Sequence, residues 1–410
     1  MSSSEWKKSK LDEVCLNITD GSHTSPPSVE KGYYMASVKD MDEYGFIFEN
    51  CRMISEIDYM KLIKNGCQPQ YGDVLIGKDG ARYLEDVFVF KQDTKVVLLS
   101  SIAILRPDKT KIISEYLYYF LRNKNTRIDI KNNYGSGSAI PRMVLKDFKR
   151  VPVPVPPISE QRAIAETLSA LDDKIELNNR INKTLEEMAQ AIFKSWFVDY
   201  EPFQDGEFED SELGSIPKGW RVESLDNIAN FLNGLAMQKY RPETEEFLPV
   251  IKIKELNQGF TDDNSDKVSV NIPQQYIIND GDVIFSWSGT LMIKIWTGGR
   301  GGLNQHLFKV TSVNYEKWFY YLWTFKHLEK FKAIAQDKAT TIGHIKRSHL
   351  TESKVMIPKD SDIKILSNIL NPIFGEMIEI SIQNRTLIAI RNSLLPKLMS
   401  GEIRVPVEKV

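Results

Sequence analysis

Residues Ile158 to Phe197 read ISEQRAIAETLSALDDKIELNNRINKTLEEMAQAIFKSWF, a run with neither Gly nor Pro. Leu168, Leu171, Ile175, Leu185, Ala189, Ile192 and Trp196 fall on one seam, with Asn178 and Asn182 in the two breaks of the series. The steps alternate three and four. Such spacing predicts one face of a coiled coil, and asparagine at a seam position fixes register at a cost in stability. A helix of this length extends about 60 Å at roughly 1.5 Å per residue. A single seam needs a second helix to cover it.

Upstream, Val151 to Pro157 reads VPVPVPP, an extended and stiff connector, and Ser159 is placed to cap the long helix. Earlier still, Gly72 to Gly77 (GDVLIG) and Ser100 to Leu105 (SSIAIL) read as strands, and Glu115 to Asn123 as a helix. Downstream of the long helix comes an acidic linker, EPFQDGEFEDSELG, after which the chain starts again. Trp6, Leu11, Asp12 and Val14 match Trp220, Leu225, Asp226 and Ile228. GDVLIGKDG (Gly72 to Gly80) matches GDVIFSWSG (Gly281 to Gly289), Tyr118 to Leu121 matches Phe319 to Leu322, and IPRMVLKDF matches IKRSHLTES. An ordered repeat carries more weight than any single motif.

The repeat supplies the missing helix. Between Asp362 and Ser400 a second seam runs through Leu366, Leu370, Ile373, Met377, Ile380, Asn384, Leu387, Arg391, Leu394 and Leu398. Asn178 or Asn182 can face Asn384 if the helices run antiparallel, while Pro372 and Pro396 predict a kinked or shortened second helix. The expected fold class is α+β, with two mixed α/β domains separated by a pair of long antiparallel coiled-coil helices in an internal pseudo-twofold repeat. The expected boundaries are a first domain at 1–157, a helix at 158–200, a linker at 201–217, a second domain at 218–359, a helix at 360–400 and a tail at 401–410. The helix pair would hold the domains at most about 60 Å apart, roughly 18 base pairs at 3.4 Å each.

Composition narrows the function. With 410 residues, 42% hydrophobic and 26% charged, the chain can bury more than one core. The odd number of cysteines, Cys15, Cys51 and Cys67, matches no metal or redox spacing and reads as reduced thiols of a cytoplasmic protein. MSSSEWKKSK has no signal-peptide character, and no membrane span is expected. The net charge of −2 is uneven. Residues 1–150 hold 23 basic against 20 acidic side chains and residues 218–359 hold 19 against 15, whereas 151–217 hold 5 against 14. A polyanion would meet the two basic domains and avoid the acidic segment between them.

The chain resembles the specificity (S) subunit of type I restriction-modification enzymes. The resemblance rests on the PPISEQRAIAETLSALDDKIELNNRINKTLEEMAQAIFKSWF stretch, DGSH at Asp20 to His23, the paired GDV segments, LNQHLFKV at Leu303 to Val310 and LLPKLMSGEIRV at Leu394 to Val405. It spans essentially the whole chain. What it implies is a non-catalytic subunit that reads double-stranded DNA through two target recognition domains, one half-site each. The partners implied are two methyltransferase subunits and restriction/translocase subunits. No cofactor is expected in this chain; S-adenosylmethionine, ATP and Mg are expected on those partners. The rival reading is a coiled-coil adaptor whose two lobes bind proteins.

No catalytic signature competes. Gly72 to Lys78 begins like a phosphate loop, but Asp79 stands where the magnesium-binding hydroxyl is needed. Asp108, Asp129 and Lys131 match only the loosest nuclease pattern, and His344 and His349 lack helical metal-ligand spacing. The candidate DNA contacts therefore come from polar, Gly-rich loops. In the first domain they are Ser22, His23, Thr24, Lys78, Arg82, Ser136, Ser138 and Arg142. In the second they are Trp287, Ser288, Asn304, Gln305, His306, Thr340, Thr341, His344, Lys346 and Arg347. Of these, Lys346 and Arg347 are expected on phosphate, and the Asn304 and Gln305 pair is equally suited to buried backbone contacts. The aromatic helices read as core rather than as base-stacking platforms.

Overall fold

The computed structural model describes residues 6–80, 82–135, 142–336 and 343–406. It divides into two compact units, one comprising Met1–Asp173 with Ala389–Val410, the other Lys174–Ile388. Both cuts fall inside the long helices, so each unit contains a globular lobe together with a portion of each helix.

In the first unit an antiparallel sheet runs in the order Cys15–Asp20, Ile102–Pro107, Val74–Gly77, Val87–Val89. The second unit repeats that order with Asn230–Asn233, Leu307–Thr311, Val283–Ser286 and Met292–Ile295. The central strand VLIG, like VIFS in the other unit, is buried at all four positions, which is why it reads as an unbroken apolar run. Beside each sheet lies a smaller one built on a parallel pair, Tyr33–Ala36 with Val96–Leu98 and Phe247–Ile251 with Gly301–Leu303. The aromatic helices pack inward in both units. Tyr116 to Leu121 and Trp318 to Trp323 are all buried.

Two local readings are revised. The Pro-rich connector is a sheet edge, with Pro152–Val155 pairing antiparallel to Lys7–Lys10. The prolines are tolerated there because an edge strand need not donate every N–H. The acidic linker is also structured, since Phe208–Ser211 and Gly214–Pro217 form a hairpin.

Equivalent hydrogen bonds fix the internal alignment. Lys10 lies opposite Pro152 as Ser224 lies opposite Lys354. The Met143 amide donates to the Lys78 carbonyl at 2.8 Å, as the Ile345 amide does to that of Trp287 at 3.1 Å. Arg142 therefore corresponds to His344, each forming a bridge to its own unit's Asp79 or Ser288. Matching IPRMVLKDF to IKRSHLTES had set Arg142 against Arg347, and the structure moves that register by three residues. The shared I-x-R letters were coincidental.

The long helices span Ile158–Phe197 and Asp360–Ser400. The first begins on amides of Glu160 and Gln161 that donate to the Pro157 carbonyl, so Ser159 sits inside the helix and does not cap it. Pro372 and Pro396 neither end nor shorten the second. A proline frees the carbonyl four residues earlier, and here those carbonyls belong to Asn368 and Asn392, both exposed, where water can satisfy them. The second helix is long and apolar enough by composition to cross a membrane, which was not expected from its sequence. Its apolar side is used in packing, with Leu366, Leu370 and Phe374 in the core of one unit and Leu395, Leu398 and Met399 in that of the other.

Within the second unit the helices pair antiparallel. Asn178 Nδ2 donates to Asn384 Oδ1 at 2.8 Å and to Gln383 Oε1 at 2.7 Å, while Asn182 Nδ2 donates to Ser381 Oγ at 2.9 Å. Asn384 Nδ2 in turn donates to Asn179 Oδ1 at 2.8 Å. Rising numbers on one helix meet falling numbers on the other. Asn178 Oδ1 and Asn182 Oδ1 are buried without a partner among the described residues, the expected cost of polar register residues in a seam. Arg385 ties this pair to the lobe through a bidentate ion pair with Asp280, whose carboxyl it holds below the usual range.

In the first unit the helices are joined by charge. Asp172 accepts from Arg391 at 2.6 Å, from Arg122 at 3.0 Å and from the Tyr119 hydroxyl at 2.8 Å. Burial lowers the Arg122 pKa to about 10, although Asp172 pulls it upward. Further along, Glu160 accepts from Arg404 at 2.7 Å and from the Trp6 indole at 3.1 Å, and the Arg404 guanidinium covers the Trp6 ring.

Candidate nucleic-acid interface

The site in each lobe is built where two strands end. Gly21 and Gly234 close the first strand of each main sheet. An added Cβ would lie 2.2 Å from the Leu98 carbonyl oxygen at Gly21 and 2.2 Å from that of Asn304 at Gly234. Only glycine permits this approach of backbone to backbone. Its effect is to set the preceding residue, Asp20 or Asn233, beside the residue that follows the central strand, Lys78 or Trp287.

Chemistry then differs between lobes at the same place. The Lys78 ammonium lies 3.3 Å from Asp20 and 3.5 Å from Asp79. The Trp287 indole donates to Asn233 Oδ1 at 3.1 Å. In the first lobe a pocket of about 380 Å³ is lined by Asp20, His23, Lys78, Asp79, Arg142 and Lys146, among others. His23 Nε2 is 3.3 Å from Asp20, and Ser22 folds inward, accepting from the Thr24 amide and donating to its carbonyl. One Asp79 oxygen is buried with no hydrogen-bond partner among the described residues. In the second lobe Ser288 Oγ is 3.1 Å from His306 Nδ1, and the Trp287 ring is flanked by His306, His344 and Phe308 at centroid distances of 6.1, 6.2 and 5.7 Å.

The candidates thus separate into two kinds. Lys78, Arg142, His23, Trp287, Ser288, His306 and His344 gather at the equivalent strand ends. Asn304 is buried, its Oδ1 accepting from the His306 amide, so its role is to shape the loop, while Gln305 lies half-buried next to His306. Arg347 donates to the Phe231 carbonyl and stacks over Phe308, and Lys346 is exposed. Arg82 projects outward beside Asp86. Ser136, Ser138, Thr340 and Thr341 lie outside the described residues. No metal-ligating cluster occurs among the described residues.

Asp20 and Asn233 were missed as site residues. Their signal was the paired Asp20-Gly21 and Asn233-Gly234, hidden by a one-residue slip in the repeat. A bulge between Cys15 and Asn17 in the first lobe absorbs the extra residue.

Two copies of one mixed domain, interleaved with antiparallel helices and presenting polar loops, define a duplicated recognition scaffold. The family model for the type I restriction modification DNA specificity domain matches residues 3–187 and again 217–387, and the chain belongs to that family. The MjaIX specificity subunit of Methanocaldococcus jannaschii is 31% identical over 317 residues, 72% of this chain and 71% of that protein. The HindI specificity subunit of Haemophilus influenzae is 24% identical over an alignment covering 98% and 100% of the two chains. Among solved structures, the S subunit of M. genitalium matches in fold with a TM-score of 0.57 at 16% identity, over 97% of each chain. As a member of this family the chain is a specificity subunit and not a catalytic one.

Proposed function

We infer that each lobe reads one half-site of a bipartite target in double-stranded DNA, and that the helix pair sets the unread spacer between them. The observation that carries this reading is the repetition of the same strand-end site in both lobes with different side chains. One backbone placed twice gives the same approach to DNA, and different residues give different base preferences. Methyltransferase subunits would dock on the helix pair, where Leu177, Met188, Ile365 and Ile369 are exposed. Restriction/translocase subunits would complete the assembly, and S-adenosylmethionine, ATP and Mg would be bound by those partners.

Salt titration of duplex binding by the chain with its methyltransferase subunits tests the DNA reading. Affinity should fall by on the order of a thousandfold between 50 and 200 mM salt if about six phosphates are contacted. A salt-independent interaction, or none, would favour the protein-binding adaptor.

A further inference from the structure

We propose that the residue following the central strand, Lys78 in one lobe and Trp287 in the other, is the specificity-determining position, with Asp20 and Asn233 as its positioning residues. The inference rests on the DNA-reading function proposed above and names the side chains that carry it.

Three observations converge. The backbone is pinned in both lobes, because the carbonyl of residue 78 or 287 accepts from Met143 or Ile345, and the Lys78 amide also donates to the Ser101 carbonyl at 2.8 Å. A side chain whose root is fixed by the sheet loses little freedom on contacting a base. Next, a glycine without room for a Cβ holds the positioning residue against it in each lobe. Finally, the two partners change together: a carboxylate faces the ammonium, and an amide oxygen faces the indole N–H. The scaffold is kept and the chemistry is exchanged.

The chemistry also indicates what each position reads. An ammonium has three donors, and with carboxylates at Asp20 and Asp79 it retains one for a base edge carrying acceptors, as guanine does with O6 and N7. The indole has a single N–H, already given to Asn233, and so offers only its ring, suited to a thymine methyl group. The two half-sites should therefore differ in kind at this position.

The test uses the full chain assembled with its methyltransferase subunits, acting on a randomised duplex library with methylated positions read by sequencing. Lys78→Met should relax one guanine position in one half-site by roughly tenfold or more, leaving the other half-site and the spacer unchanged. Lys78→Arg retains donors and should restore the preference. The exchange Asn233→Asp with Trp287→Lys should bring a guanine preference into the other half-site. An unaltered motif in Lys78→Met, or equal relaxation in Lys78→Met and Lys78→Arg, overturns the assignment. If the unsubstituted complex yields no bipartite motif, the underlying DNA reading fails instead.

Discussion

Asp172→Ala is expected to lower the melting temperature of the first unit by roughly 6–12 °C, from about 3 kcal/mol at roughly 2–4 °C per kcal/mol. Asp172 is the carboxylate between two guanidiniums, with side-chain exposure of 10% against 14% for Arg122 and 11% for Arg391. Removing it leaves both cations largely buried, with the half-exposed Glu43 as their one remaining carboxylate partner among the described residues. An uncompensated buried charge costs more than the original pair contributed. Adding Arg391→Ala removes one of the two cations, so the double variant should melt above the single one. The second unit shows that charge is not obligatory here. With the long helices aligned at Ile158 and Asp360, Asp172 corresponds to Phe374 and Arg391 to Ala189, both buried in an apolar core. We attribute to the charged version a role in fixing register, as buried polar groups do in other helix pairs. A single variant that melts at the wild-type temperature would contradict this.

Gly234→Ala should be nearly as damaging, by about 3 kcal/mol. The added Cβ would meet the Asn304 and Leu303 carbonyl oxygens at 2.2 and 2.4 Å, and both are backbone atoms of a buried turn. Relief requires moving the strand end, which would draw Asn233 away from the Trp287 indole. Thermal melting measures the cost, and the Trp287 indole N–H resonance reports the lost hydrogen bond. Gly375→Ala is the control. It lies in the second long helix with nothing within 4 Å of an added Cβ, so it should stabilise by about 0.5–1 kcal/mol. Equal effects from the two substitutions would show that the close approach at Gly234 is not what the site depends on.

The helix pair was legible because its signal is periodic and local. Leu366, Leu370, Ile380, Asn384 and Leu398 are all buried as the seam spacing predicted. The first helix departs near its end. Phe193 and Phe197 are more deeply buried than Ile192 and Trp196, because the lobe's core and not the partner helix covers that turn. The prolines misled because the rule for them concerns lost hydrogen bonds, and exposed carbonyls lose little. At the site, residues on polar loops were found, but the pairs that organise them were not. Asp20 lies 58 positions from Lys78, and Asn233 lies 54 from Trp287. Such pairs follow from sheet order and from where a glycine lets strands meet, and neither is written in local periodicity.

The most direct measurement is the methylation motif produced by the unsubstituted chain with its methyltransferase subunits, read by sequencing modified duplex DNA. Two short specified segments separated by a fixed, unspecified spacer are expected, with the segments differing in base composition as Lys78 and Trp287 differ in chemistry. A contiguous motif, or two identical segments, would contradict the reading of the two lobes as separate half-site readers.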